Sequence, residues 1–585
     1  MQPSAGRRGV PLLWAFTGFG LLALGAGLVV IGSSRSGRSV AVDGREAPIA
    51  RGATDATDLR ANNSPTLARD PLDPDHLVVV NRIDLPQYSC ALHESRDGGR
   101  TWEAGTIPFP DGEERPERCF APDAVFDSEG ALYVSFVTLI GLGNSPNALW
   151  VASRDRDATA LGIPRRVEGP RTFQVRLVAD PRTPGGLYLT WLQADAVGVA
   201  LFPNTGNPVV LSTSDDGGET WSAPVRVSAP ERQRVVAPSP AVGDPGQLWV
   251  LYLDLKDDRL DYHGGHEFRG GEPYGGTFSL VLARSSDDGA TWDETVVDDA
   301  IVPNERFLVF LPQSPSLAVD AGRDRVFAGF SDGQLDDPDV WVRVSDDGGG
   351  TFGPRRRVND TVEGDGTAQY LPRLAVAPSG RLDVVYYDRR ADPSNVRNEV
   401  SYQTSFDGAG SFTPRLRLTT GSFDSRIGFG SVRGLPDLGS RLGLLAGEER
   451  SLAVWTDTRA GLPETGKQDL AIAAVQVDEG DSLRGPLATG GWALVGAGVL
   501  LLVASAMKAA RRRPSSVVAG DDDAGPAAAD PVTAGRPTEE AVATVAVPPE
   551  IEVDTVPTAG DDGEQLAPTL MAPPPDEHAK PHDVP

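Results

Sequence analysis

One frame, Ser-x-Asp-x-Gly-x-Thr-Trp, returns along this chain at intervals of one supersecondary unit, which restricts the fold to a repeat of like units. It reads Ser95, Asp97, Gly99, Trp102; then Ser214, Asp216, Gly218, Trp221; then Ser285, Asp287, Gly289, Trp292; then Ser345, Asp347, Gly349, Phe352. Two eroded copies fall where the spacing requires them. One is Ser405, Asp407, Ser411 and Phe412 with Ala409 in place of glycine, and the other is Ser153, Asp155 and Thr159 without an aromatic. The six serines are separated by 58, 61, 71, 60 and 60 residues. Short Ser and Asp side chains accept hydrogen bonds from the amides of their own turn, and glycine takes the positive φ that such a turn needs. The closing aromatic starts the next strand and covers the turn.

The strands around each frame give a blade count. An apolar strand precedes each copy, starting at Leu77, Leu132, Leu187, Leu248, Val326 and Leu382, and a seventh starts at Leu452. Each is followed by a strand whose side chains alternate as in a half-buried sheet. A shorter inner strand recurs ahead of each pair, as in SPTLA, APDAV, QVRLV and LPRLAV. The pattern predicts an all-β propeller of seven four-stranded blades over 62–480, with six blades as the alternative. The seventh blade ends at its third strand, and residues 34–61, near Ser39 to Asp43, can supply the missing outer strand.

Two apolar runs flank the repeats. Residues 1–33 read as a signal peptide or signal-anchor helix, with Arg7 and Arg8 ahead of the run. After a short linker at 481–486, residues 487–507 read as a transmembrane helix. Lys508, Arg511, Arg512 and Arg513 follow it, which sets the repeats outside and the tail in the cytoplasm. That tail, the latter part of 508–585, is rich in Pro, Ala, Asp and Glu and reads as disordered, with a cytoplasmic partner as one use for it. A net charge of −28 argues against nucleic acid as a partner. The only cysteines, Cys90 and Cys119, lie in the segment placed outside, where one disulfide or two unpaired small residues are both open.

The repeated frame is the Asp-box, or bacterial neuraminidase repeat, and the chain from about Asn62 to Val477 resembles the sialidase-like β-propellers. The resemblance implies that the boxes are structural and lie at the periphery, while ligands bind on the opposite face. Seven inner-strand positions should point into the mouth there: Thr66, Asp123, Arg176, Ala241, Ser316, Arg373 and Arg441. Guanidinium forks bind carboxylates bidentately, which is how the family holds its sugar carboxylate. Arg176, Arg373 and Arg441 with Asp123 are therefore the expected ligand-binding residues, an internal ion pair with Asp123 or Asp388 being the competing role. The family's Phe/Tyr-Arg-Ile/Leu-Pro signature is absent from the first inner strand, where the chain reads RANNSPTLA. Tyr370, Tyr386, Tyr387, Glu399 and Asp123 are suitable residue types for its chemistry, but no motif gives them catalytic roles. His263 and His266 lack a second pair of ligands, so neither a metal nor another cofactor is expected. Two readings stand: a membrane-anchored module binding a cell-surface glycan or protein, and an exo-sialidase-like glycoside hydrolase.

Overall fold

A computed structural model of the chain describes residues 17, 21–23, 38–50, 59–479 and 493–507, less 116, 142–143, 195–206, 244–245, 259–273, 304–313, 335–336, 429–437, 498 and 505. Most of the first apolar run, the acidic tail and the pair His263 and His266 lie outside the described residues. In the second run, 493–497, 499–504 and 506–507 are helical. Among the described residues, no helix is long and apolar enough to cross a membrane.

The described residues form seven antiparallel sheets arranged as blades. Blade one comprises Asn62–Arg69, Leu77–Ile83, Ser89–Ser95 and Glu103–Gly105, and blades two to six repeat this meander in sequence order. In blade seven Gly443–Ala446, Arg450–Asp457 and Asp469–Asp478 are completed by Ser39–Pro48 from the N-terminal side. Ser39 pairs with Asp478 and Val42 with Val475, so both ends of the propeller are tied into one sheet.

The second strand of each blade is buried on both faces. Leu77 and Val79 pack toward blade seven with Val454 and Ile472, while Val78 and Val80 pack toward blade two with Ala124 and Val134. Alternate side chains thus serve the two neighbouring interfaces, which is why these strands read as continuous apolar runs rather than as a polar and apolar alternation. Outer strands are the solvent edge, and Glu103–Gly105 is exposed throughout.

Five Asp-boxes share one hydrogen-bond pattern. In blade three the Ser214 hydroxyl donates to Asp216 at 2.8 Å and accepts from the Gly218 amide at 2.9 Å. Asp216 accepts from the amide and hydroxyl of Thr220, which hold its carboxyl down at about 2. The indole of Trp221 donates to the Gly218 carbonyl. Ala409 stands in for glycine at φ 66° and still donates to Ser405, so the fifth box closes despite the strain of a Cβ there. The sixth does not. Ser153 and Asp155 offer backbone carbonyls to Gly162 and Ala158 instead, and the hydroxyl-to-carboxylate bond of the other five does not occur among the described residues.

The boxes contact the turn between first and second strands of their own blade, as in Gly98 N–H to Asp75 and Gly217 N–H to Gly185. Those two sets of turns form one face of the ring, the box face. The starts of the inner strands and the loops joining second to third strands form the other, the mouth face. Cys90 in blade one and Cys119 in blade two are bonded near this second face, with Cα atoms 5.8 Å apart.

Candidate functional site

The inner strands enter the ring through a repeated backbone irregularity. Ser64, Ala121, Gln174, Ala237 and Leu371 all have φ between 50° and 59°, and each lies two residues before a mouth position. The ladder shifts register there in every case, between Asn63 and Thr66, Phe120 and Asp123, Phe173 and Arg176, Val236 and Ser239, and Tyr370 and Arg373. A bulge with a non-glycine residue at positive φ costs about 1–3 kcal/mol and re-aims the side chain that follows it. Four of the five are followed by proline, at Pro65, Pro122, Pro238 and Pro372. A proline inside a strand marks a bulge, so the signal was present in the recurring x-Pro-x of the inner strands.

While Ser316 pairs with Gly329 in blade five, where the described ladder has no register shift, the bulges place Thr66, Asp123, Arg176 and Arg373 opposite the fourth residue of their second strands. In blade four that place belongs to Ser239; Ala241 pairs with Trp249 and sits two residues further along. Counting back from the apolar stretch misses this because Ala241 is the residue just before Val242, whereas the bulge at Ala237 sets the register two residues earlier, at Ser239. In blade seven the ladder begins at Gly443, and Arg441 reaches the channel from the connection before it.

Arg176, Arg373, Arg441 and Asp123 together line a pocket of about 570 Å³ of solvent-open space on the ring axis. A second pocket of about 540 Å³ lies nearer the mouth, between the strained residues Ser64, Ala121, Gln174 and Ala237, and shares Arg176 and Arg441 with the first. Arg441 is held by carbonyl groups, its Nε donating to Ser64 at 3.1 Å and a terminal nitrogen to Pro122. Asp123 accepts from the amides of Ala124 and Leu177, both at 3.1 Å, and its nearest contact with Arg176 is 4.0 Å. The Nε of Arg373 is buried and has no hydrogen-bond partner among the described residues. Burial lowers the pKa of all three guanidinium groups. Repulsion from Arg176 adds to this, bringing Arg373 down to about 10 and Arg441 to about 9 despite Asp123. Three positive groups thus share one carboxylate that is already satisfied by backbone amides.

Asp388 does not join them. It accepts from Ser401 and Arg390 in blade six. Arg82, which sequence reasoning missed because it lies on a second strand, also lines the outer pocket, bonded to Asp84 at 2.8 Å and stacked 4.7 Å over Phe120. The tyrosines and Glu399 are placed elsewhere. Tyr386 and Tyr387 are fully buried, Tyr370 donates to Asn398 at 2.8 Å, and Glu399 is paired with Arg415 and Arg417.

A second charged cluster on the mouth face is acidic. Burial, followed by the neighbouring Asp339 and Asp365, pushes Asp337 up to about 6. Among the described residues, no group of three or more His, Cys, Asp or Glu side chains is arranged to hold a metal ion.

No family model matches the chain. A curated relative, a xyloglucanase from Paenibacillus sp., is 29% identical over 217 residues, which is 33% of this chain and 19% of that protein, so the chain spans about a fifth of its length. Similar solved structures include a protein of unknown function from Dyadobacter fermentans DSM 18053, at 16% identity and TM-score 0.41, covering 75% of this chain and 99% of that one. The Hadza microbial sialidase Hz136 is 17% identical at TM-score 0.36, covering 61% and 66%. The endosialidase of phage phi92 is 11% identical at TM-score 0.44, covering 75% and 70%. These likenesses are distant, and the assignment rests on the five closed boxes and seven meander sheets of the chain itself. In fold it is a seven-bladed all-β propeller with Asp-box turns.

Proposed function

We propose that this chain is a membrane-anchored, extracytoplasmic propeller that binds an acidic glycan through the arginines of its mouth. The observation that carries the reading is Arg373, a half-buried side chain whose buried Nε lacks a hydrogen-bond partner among the described residues, facing an open pocket with two further arginines. A buried positive group without an anion is costly, and a carboxylate brought by a ligand supplies both the charge and the acceptors. Support for a carbohydrate as its carrier comes from the Asp-box resemblance and the xyloglucanase match. Binding rather than hydrolysis is supported by the tyrosines, which are either fully buried or engaged away from the pockets. Anchoring is supported by the apolar run at 487–507 and the basic residues after it, and by the exposed Leu500 and Met507 on its helical residues.

The test is calorimetric titration of the detergent-solubilised chain with a sialylated trisaccharide and an oligouronide, each compared with its carboxyl-reduced form. Charge-assisted hydrogen bonds contribute about 1.5–3 kcal/mol, so reduction should weaken binding by roughly 10-fold to 100-fold for the cognate sugar. Equal affinity for an acid and its reduced form would remove the carboxylate from the account.

A further inference from the structure

The strand directions fix where both apolar segments attach. Inner strands run from the mouth face to the box face, so third strands end at the box face and outer strands start there. Asp469–Asp478 is the third strand of blade seven and Ser39–Pro48 its outer strand, and Ser39 is paired with Asp478. Both exits therefore lie side by side at the box face. Their surroundings agree. The Val477 amide donates to Glu449, in the turn between first and second strands of blade seven. Glu479 accepts from Ser379 at 2.6 Å and from Arg381 at 2.5 Å, both at the matching turn of blade six.

From these exits the apolar runs are close in sequence. Residues 34–38 separate the first from Ser39, and 479–486 separate Asp478 from the second. Eight residues reach at most about 30 Å when fully extended. A blade whose strands run eight to ten residues is itself roughly 25–30 Å tall before its loops are added. With Glu479 pinned to blade six, the remaining linker is too short to turn the propeller over and bring its mouth to the lipid.

We infer that the box face is the membrane-proximal face and that the arginine mouth opens away from the bilayer, so that it takes acidic glycans presented from the surroundings and not the headgroups of its own membrane. The inference rests on the membrane-anchored reading above. It holds whether or not the first apolar run is retained, because Asp478 alone delivers the chain to the box face. That face is acidic, with Asp97, Asp215, Asp216 and Asp347 on its boxes and Asp73 and Asp75 on the adjoining turn. Anionic headgroups repel such a surface over a Debye length of about 8 Å, so the propeller stands off the lipid on its linkers instead of lying on it.

Two exposed positions on opposite faces of the ring report the orientation. Leu72 is exposed on the box face of blade one, and Val362 is exposed on the mouth face before blade six. The full-length chain carrying Leu72→Cys or Val362→Cys is labelled under non-reducing conditions, reconstituted into vesicles containing a headgroup-linked acceptor, and floated on a density gradient. Energy transfer from Leu72 should exceed that from Val362 at least twofold. The pair Ile163→Cys on the box side and Leu462→Cys on the mouth side repeats the comparison should either first variant misfold. Floating protein with equal or reversed transfer overturns the orientation while leaving anchorage intact. Protein that fails to float overturns the anchored reading and the orientation with it.

Discussion

Replacing Arg381 with methionine should destabilise the propeller by about 3–5 kcal/mol, among the largest losses available to a single side chain in this fold. Arg381 is only 2% exposed, yet it is fully used. It donates to both oxygens of Asp383 at 2.8 and 3.1 Å, to the carbonyls of Gly447 and Glu448, and to Glu479, so it joins blade six to blade seven where the chain leaves the ring. Burial alone would lower its pKa, but these carboxylates raise it instead. Removing the guanidinium strands Asp383, which has no exposed surface. The double variant Arg381→Met with Asp383→Leu should regain much of the loss, since replacing both members of a buried pair is far cheaper than replacing one. Urea unfolding of the wild type, the single and the double variant checks both statements.

Trp102→Ala should cost a further about 3–5 kcal/mol, whereas the equivalent Trp221→Ala should cost about 1–2 kcal/mol. Both indoles close an Asp-box through the same bond to a glycine carbonyl. Their packing differs. Trp102 is buried against Leu77, Ile472 and Leu470 at the seam where blade one meets the two-ended blade seven, while Trp221 is only half-buried beside Val151 and Leu187. Denaturant midpoints for the two variants should separate clearly. Equal losses would mean that the box bond, not the seam, sets the cost.

The boxes made the fold readable because their chemistry is local: a serine, an aspartate and a residue at positive φ within a few positions close the turn wherever they occur. Ala409 shows the tolerance of that rule and Ser153 its limit. Blade number followed from counting strands, and the closing strand from the outer strand missing in blade seven. The mouth was harder to read, because which side chain faces the axis is decided by bulges that shift the pairing register, so Ala241 was placed two residues too far while Asp123, Arg176 and Arg373 came together on one pocket. Arg82 and Arg381 escaped notice for a different reason. Their importance lies in partners distant in sequence or in neighbouring blades, and no spacing within one repeat reveals those. The competing ion pair with Asp123 is long, 4.0 Å to Arg176, because the amides of Ala124 and Leu177 take its oxygens.

Arg373→Gln addresses the charge left unmet at the mouth most directly. The substitution keeps a polar side chain of related shape and removes a half-buried cation that has no ion-pair partner among the described residues. Affinity for the cognate acidic oligosaccharide should fall at least 10-fold, about 1.4 kcal/mol, while the melting temperature of the ligand-free chain stays within about 2 °C of wild type or rises. Unchanged affinity, or a fall in melting temperature of the size expected for breaking a buried ion pair, would contradict the assignment of this mouth as an acid-binding site.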